Sequence, residues 1–260
     1  MKIKSESLGN SWITQIKALS SITLPEKRLL CFPYAGGGSS AFMSWRALIP
    51  PNIELLAVEL PGRERRFHEK PWTDFIGAVQ NITDALAQLP LLPTVYFGHS
   101  LGALLAFAVA RTFESREHPA SPCALVLSAC EPPHIDKDGE NGPAWKLDDT
   151  NFIHKLRELN GTPEQFLESP DLLDLFLPIL RADFQLADEA RSRIGGQIRI
   201  PTTVLGGFKD DIQYEELLQW QKYAFFPINI HMFAGDHFFL KTELAPLCSI
   251  MTKIMNVARK

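Results

Sequence analysis

The strongest chemical signal in this 260-residue chain is the run Gly98-His99-Ser100-Leu101-Gly102. The spacing G-x-S-x-G suits a very sharp turn from a strand into a helix. The serine takes a strained backbone conformation there, and glycines stand where side chains would strike neighbouring backbone. By average composition such a pattern arises by chance in roughly one chain in twenty of this size, so its context decides. Here it follows the apolar run Thr94–Phe97 and opens the apolar helical stretch Leu101–Glu114, as the turn demands. A serine hydroxyl is a poor nucleophile at neutral pH and needs a base, itself oriented by a carboxylate. The chemistry on offer is acyl transfer through Ser100.

The chain order for this turn is serine, acid, histidine. His118, His134, His154, His231 and His237 follow Ser100. His118 and His134 come too early to follow an acid on a later strand. His154 falls in a helix-rich interruption, and His231 lies inside the strand-like run Ile228–Phe233. His237 comes just after that run, in Gly235-Asp236-His237, where a loop at a strand end can aim an imidazole at the serine. The acid is expected after the run Thr202–Leu205, in Gly206-Gly207-Phe208-Lys209-Asp210. Asp210 is preferred to its neighbour Asp211, and Asp236 is too close to His237 along the chain to reach round it. Two backbone N–H donors must face the developing oxyanion. Leu101 supplies one, and Ala35 in Pro33-Tyr34-Ala35-Gly36-Gly37-Gly38 the other, with Tyr34 as competitor. No Gly-Lys-Ser/Thr follows these glycines, so a phosphate cradle is a poor reading.

These residues need a frame that brings strand ends together. The apolar runs Arg28–Phe32, Ile53–Leu60, Thr94–Phe97, Ala124–Ser128, Thr202–Leu205 and Ile228–Phe233 read as strands of a mostly parallel sheet covered on both faces. Helix candidates alternate with them: Phe75–Leu89, Leu101–Glu114, Glu215–Tyr223 and Glu243–Val257. The alternation predicts one α/β domain over residues 1–260, a doubly wound sheet with helices on both faces. From about 132 to 194 no strand is convincing. Helix-like stretches at Asn151–Leu159, Pro163–Leu167 and Leu172–Arg181 predict a helical lid over the strand ends, against the plainer alternative of helices packed on the sheet edge. In that lid Leu172, Leu173, Phe176 and Leu177 could line an acyl channel, although at helical spacing such residues are more often ordinary core.

Composition narrows the classes. With 45% hydrophobic residues there is enough apolar material for one substantial core. A net charge of −4 without a lysine-arginine stripe gives no nucleic-acid footprint. The four cysteines form no C-x-x-C pair, which argues against zinc and dithiol chemistry, and buried free thiols are the expectation. Met1–Leu24 has no apolar leader core, and the longest apolar run, Leu101–Ala110, is far short of the roughly 18 residues a span needs. A cytoplasmic protein without a membrane segment, metal or cofactor is expected, with a monomer as the default. Arg63, Arg65 and Arg66 form a basic cluster that reads either as structural ion pairs or as a contact for an acidic partner or a phosphate.

Several blocks, taken in order, resemble a known family: Cys31 to Gly38, Leu60-Pro61-Gly62-Arg63-Glu64, Gly98 to Ala103, Leu177 to Phe184 and Gly235 to Leu240. The chain is similar to the type II thioesterases of nonribosomal peptide and polyketide assembly lines, members of the α/β-hydrolase fold. Medium-chain hydrolases that act on fatty acid synthase look similar. The resemblance implies hydrolysis of acyl groups from the phosphopantetheine thiol of acyl- or peptidyl-carrier proteins, clearing mis-primed or stalled units in trans, with Ser100, Asp210 and His237 as the triad. The chain departs from the family at two places: Asp211 stands where proline usually follows the acid, and Asp236 replaces a glycine before the histidine. An esterase or lipase on small esters, a product-releasing thioesterase and a catalytically silent relative are the alternatives.

Overall fold

Strands buried on both faces have no solvent side to mark with polar residues, and continuous apolar runs here become such strands. A computed structural model of the chain describes residues 11–17, 24–135, 142–159 and 164–258. Most of the Met1–Leu24 segment, part of the 132–194 interruption, and Pro163 lie outside the described residues. The strands are β1 (Ile13–Lys17), β2 (Lys27–Phe32), β3 (Ile53–Val58), β4 (Thr94–His99), β5 (Ala124–Ser128), β6 (Thr202–Gly207) and β7 (Asn229–Phe233). They form one sheet in the order β1-β3-β2-β4-β5-β6-β7. All neighbours are parallel except β1, which runs antiparallel to β3.

The period of two along each strand divides the core. Leu30, Phe32 and Tyr96 point to one face, while Leu29, Cys31, Val95 and Phe97 point to the other. The first face is covered by α1 (Phe75–Ala87), α2 (Leu101–Ser115) and part of α5 (Pro170–Arg193). The second is covered by α8 (Leu244–Val257) and by Phe42 and Trp45 of a short 3-10 segment. Asp74 caps α1 by accepting the Gly77 N–H. Two shorter helices, α6 (Tyr214–Leu218) and α7 (Phe239–Thr242), complete the ends of the β6 and β7 units.

Between β5 and β6 the described chain is helical, with α3 (Asp149–Glu158), α4 (Glu164–Leu167) and α5. Phe152, Leu156, Leu167, Leu177 and Leu180 make a small apolar cluster of their own there. Two expectations change. The helix expected over Leu172–Arg181 continues to Arg193, because Leu186 and Ala190 enter the main core one and two turns beyond. Strand β1 was not expected. Its Ile13 and Ile16 are buried on opposite faces, with an irregularity between Gln15 and Lys17 that breaks any clean alternation.

Candidate active site

Ser100 sits between β4 and α2 with φ 56° and ψ −122°, a conformation that L residues rarely adopt. Its N–H donates to the Ser128 carbonyl and its own carbonyl accepts from Ala103, so the turn is tied on both sides. The two glycines of the motif are sterically required. A Cβ on Gly98 would lie 2.2 Å from the Gly102 carbonyl oxygen, and one on Gly102 would lie 2.0 Å from that of Phe32. The serine stands at the carboxyl end of a central strand, where ligands of open parallel sheets bind.

The loops after β6 and β7 are laced together by main chain. Phe208 N–H donates to Phe233, and Lys209 N–H donates to Gly235, at 2.9 and 2.8 Å. Gly207 permits the approach, since a Cβ there would be 2.5 Å from the Asp236 carbonyl oxygen. This lacing brings the Asp210 carboxylate to the His237 imidazole, with Nδ1 3.0 Å from Oδ2 and 3.2 Å from Oδ1. The carboxylate is almost fully buried and also accepts the Ile212 N–H, whereas the ring is partly exposed. Asp211 is exposed, and Asp236 spends its carboxylate on the Phe238 N–H. The other histidines lie elsewhere: His118 accepts the Ala120 N–H, His134 meets Lys222, His154 pairs with Glu158, and His231 is exposed on β7. No Ser100–His237 hydrogen bond is formed, a looseness common before substrate binds.

Leu101 opens α2, so its N–H is among those at the helix start with no intrahelical acceptor. In the loop after β2, the Gly37 N–H is taken by the Tyr34 carbonyl and the Gly36 N–H by Asp183 Oδ2 at 2.6 Å. The two sequence candidates for the second oxyanion donor, Ala35 and Tyr34, immediately precede these two fastened amides. Asp183 is fully buried on α5 and receives Arg63 through both terminal guanidinium nitrogens, at 2.5 and 2.7 Å. Asp183 lies within the Leu177–Phe184 block, and the sequence alone assigns it no role. A carboxylate on the stripe Leu180, Asp183, Leu186, Ala190 was the available signal, since a buried charge demands a partner.

The arginine cluster divides accordingly. Arg63 and Arg66 are buried, the first on Asp183 and the second on Glu69 and the Glu59 carbonyl. Arg65 alone keeps half its side chain exposed, beside Glu59. Ion pairing accounts for the cluster, which is not a free basic patch. A cavity of about 550 Å³ adjoins this region. Its walls include Tyr34, Glu64, Phe67, Phe176, Ile179 and Lys241, so Phe176 of the expected channel lines a cavity while Leu177 is core. Burial works against the Glu64 charge, but hydrogen bonds from Ser39 and Ser40 outweigh it and hold the carboxyl below its usual range.

His99, the variable residue of the elbow, is completely buried. Its Nδ1 lies 2.9 Å from Ser128 Oγ, its Nε2 has no partner, and its ring centroid is 5.4 Å from that of His237. Burial, then the nearby His237, keeps this imidazole well below the ordinary histidine range. The four cysteines are free, and burial pushes the Cys248 thiol up to about 12. Among the described residues no group of His, Cys, Asp or Glu is placed to hold a metal, and no helix is long and apolar enough to cross a membrane.

The thioesterase domain family model matches residues 27–255. The gramicidin S biosynthesis protein GrsT of Aneurinibacillus migulanus is 34% identical over 250 residues, covering 94% of this chain and 93% of that one. Among solved structures, the type II thioesterase BorB from the borrelidin biosynthetic cluster is 32% identical with a TM-score of 0.82, covering 94% of this chain and 97% of that one. YbtT, a type II thioesterase from the yersiniabactin NRPS/PKS pathway, is 26% identical with a TM-score of 0.83, covering 96% and 100%. The fold expectation, a mostly parallel sheet of the α/β-hydrolase type, agrees with these structures.

Proposed function

We propose, from the premise that this chain belongs to the thioesterase family, that it clears acyl groups from carrier proteins of a nonribosomal peptide or polyketide assembly line, acting in trans. It is a thioester hydrolase. The observation that carries the reading is the strained serine of β4–α2, together with an Asp210–His237 pair at the carboxyl edge of the same sheet.

In this reading Ser100 Oγ attacks the thioester carbonyl as His237 Nε2 takes its proton. Asp210, on Nδ1, holds the ring in the tautomer that leaves Nε2 free to accept, and stabilises the imidazolium that forms. The N–H groups of Leu101 and Ala35, the latter in competition with Tyr34, receive the oxyanion. Collapse of the tetrahedral adduct breaks the C–S bond; the pantetheine thiolate leaves with little help from an acid and takes up the proton held by His237, which returns the imidazole to its neutral, basic form. Water, deprotonated by His237, then cleaves the acyl-enzyme and restores Ser100. No cofactor is required, because the phosphopantetheine arrives on the substrate. The chain is one domain over residues 1–260, and its insertion at about 132–194 serves as the lid over the site. A monomeric, cytoplasmic enzyme whose partner is an acyl- or peptidyl-carrier protein completes the proposal.

The test is mass spectrometry of an acetyl- or acyl-loaded carrier protein incubated with the wild type and with Ser100→Ala. Loss of the acyl mass with the wild type alone is expected. A carrier left loaded by both, with small esters cleaved by the wild type, would move the function to an esterase.

A further inference from the structure

We infer that Asp183, held by Arg63, is a positioning residue for the oxyanion hole; the inference rests on the site reading proposed above. A carboxylate buried on a helix is costly unless it is paired and its oxygens are satisfied. Both oxygens here face Arg63, and Oδ2 also accepts the Gly36 N–H at 2.6 Å. Arg63 Nη1 in turn donates to the Gly37 carbonyl at 3.2 Å, and its Nε and Nη2 reach the Pro61 carbonyl. One ion pair therefore grips two successive residues of the loop after β2.

The loop is also wedged. Gly36 has φ 76°, and a Cβ there would lie 2.7 Å from Leu180 Cδ2 on α5. The Gly36 amide is the next peptide after the one that carries the Ala35 N–H, so fixing its direction fixes the chain at the donor. Holding α5 in place does not require the ion pair, because Leu186 and Ala190 bury the same helix in the main core. The polar contacts of Asp183 are spent on the loop and on the arginine that grips it. Oxyanion donors act only when aimed at the tetrahedral oxygen, so loosening this grip costs transition-state stabilisation and leaves ground-state binding intact. The helix that carries Asp183 also supplies Leu177 and Leu180 to the insertion's own cluster, so insertion and hole share one element.

The test replaces the pair by apolar residues of similar volume, Arg63→Met with Asp183→Leu, because removing both charges avoids an uncompensated buried ion. Thermal melting checks the fold. Hydrolysis of an acyl-N-acetylcysteamine thioester gives kcat and KM, and inhibition by an alkylboronic acid, whose serine adduct is tetrahedral, probes the hole directly. A fall in kcat of about 10- to 100-fold is expected, below the loss of a donor itself. KM should stay within about two-fold, and boronate affinity should fall in step with kcat. Arg63→Met with Asp183→Asn keeps an acceptor for the Gly36 N–H and should recover part of the loss. It carries the test with at least about a three-fold kcat deficit if the first variant does not fold. Wild-type kcat in a folded variant, or a loss confined to KM, overturns the inference. Should Ser100→Ala, run alongside, hydrolyse like the wild type, the site reading falls and takes the inference with it. An inactive Ser100→Ala beside a fully active apolar pair sinks the inference alone.

Discussion

The sheet edge that carries Ser100 and the helical insertion beside it are held by different kinds of force. At the edge, main chain presses on main chain: Gly98, Gly102 and Gly207 each sit where a Cβ would come within 2.5 Å of a carbonyl oxygen. Backbone hydrogen bonds lace the loops of Asp210 and His237, and the residues behind them are fully buried. Among its described residues the insertion instead has five buried apolar side chains in its own cluster, and solvent-facing pairs such as Arg157–Glu164 and Lys155–Glu158 on its surface. Exposed pairs of that kind contribute little. Geometry that must hold within a fraction of an ångström is built where nothing can shift. The segment proposed to admit substrate is built from the contacts that open most easily.

The largest effect should come from the edge itself. Ser100→Ala is expected to lower thioester hydrolysis by about 10⁴- to 10⁶-fold with an unchanged melting temperature, measured on a carrier-bound acyl group. A residual rate within ten-fold of wild type would place the chemistry elsewhere. Asp210→Asn should lower kcat by about 10⁴-fold through the wrong imidazole tautomer, while Asp211→Asn stays within about two-fold. Reversed rankings of the two aspartates would exchange their roles.

Two glycines contrast the regions by stability alone. Gly102→Ala drives a Cβ into the Phe32 carbonyl and should cost more than about 4 kcal/mol in urea melts. Gly142→Ala, within the insertion, has open space around its Cβ and strains only its φ of 69°, a cost of about 1 kcal/mol. Equal costs would erase the distinction. Phe152→Ala removes a fully buried ring from the insertion's cluster, a change typically worth about 3 kcal/mol. Hydrogen exchange should accelerate over α3 and the first half of α5 while β4 and β5 stay protected; uniform acceleration would mean the two regions unfold as one.

The smallest effect is a pH slope. His99 is held neutral in the fold by burial, then by His237, while the unfolded chain takes up a proton below about pH 6.5. The unfolded state thus binds more protons in that range, so the stability present above it is lost as the pH falls, by up to about 1.4 kcal/mol per pH unit. His99→Gln should flatten that slope in denaturant melts at pH 7, 6 and 5. An unaltered slope would assign it to other groups.

Local pattern made much of this legible. Apolar runs with turn residues at their ends foretold β2 to β7 within a residue or two, and for β2 to β6 burial on both faces leaves a continuous hydrophobic signature, whereas the edge strand β7 is largely exposed. The elbow glycines were readable because a close backbone approach excludes every other residue type. Strand β1 stayed hidden, since its irregular register scrambles the alternation that marks an edge strand. The second half of α5 was concealed by the charge of Asp183, which interrupts the apolar stripe it occupies. The sequence by itself determined the strand–turn–helix that raises Ser100 and the loop ends on which an acid and a histidine would fall. The sequence already favoured Asp210 over Asp211, and the tertiary structure sets that carboxylate on His237; only the tertiary structure decided that His99 is sealed against His237 and that Arg63 reaches Asp183 across 120 residues of chain. Periodicity encodes which face of an element is buried, whereas the partner waiting on that face is set by how distant elements pack.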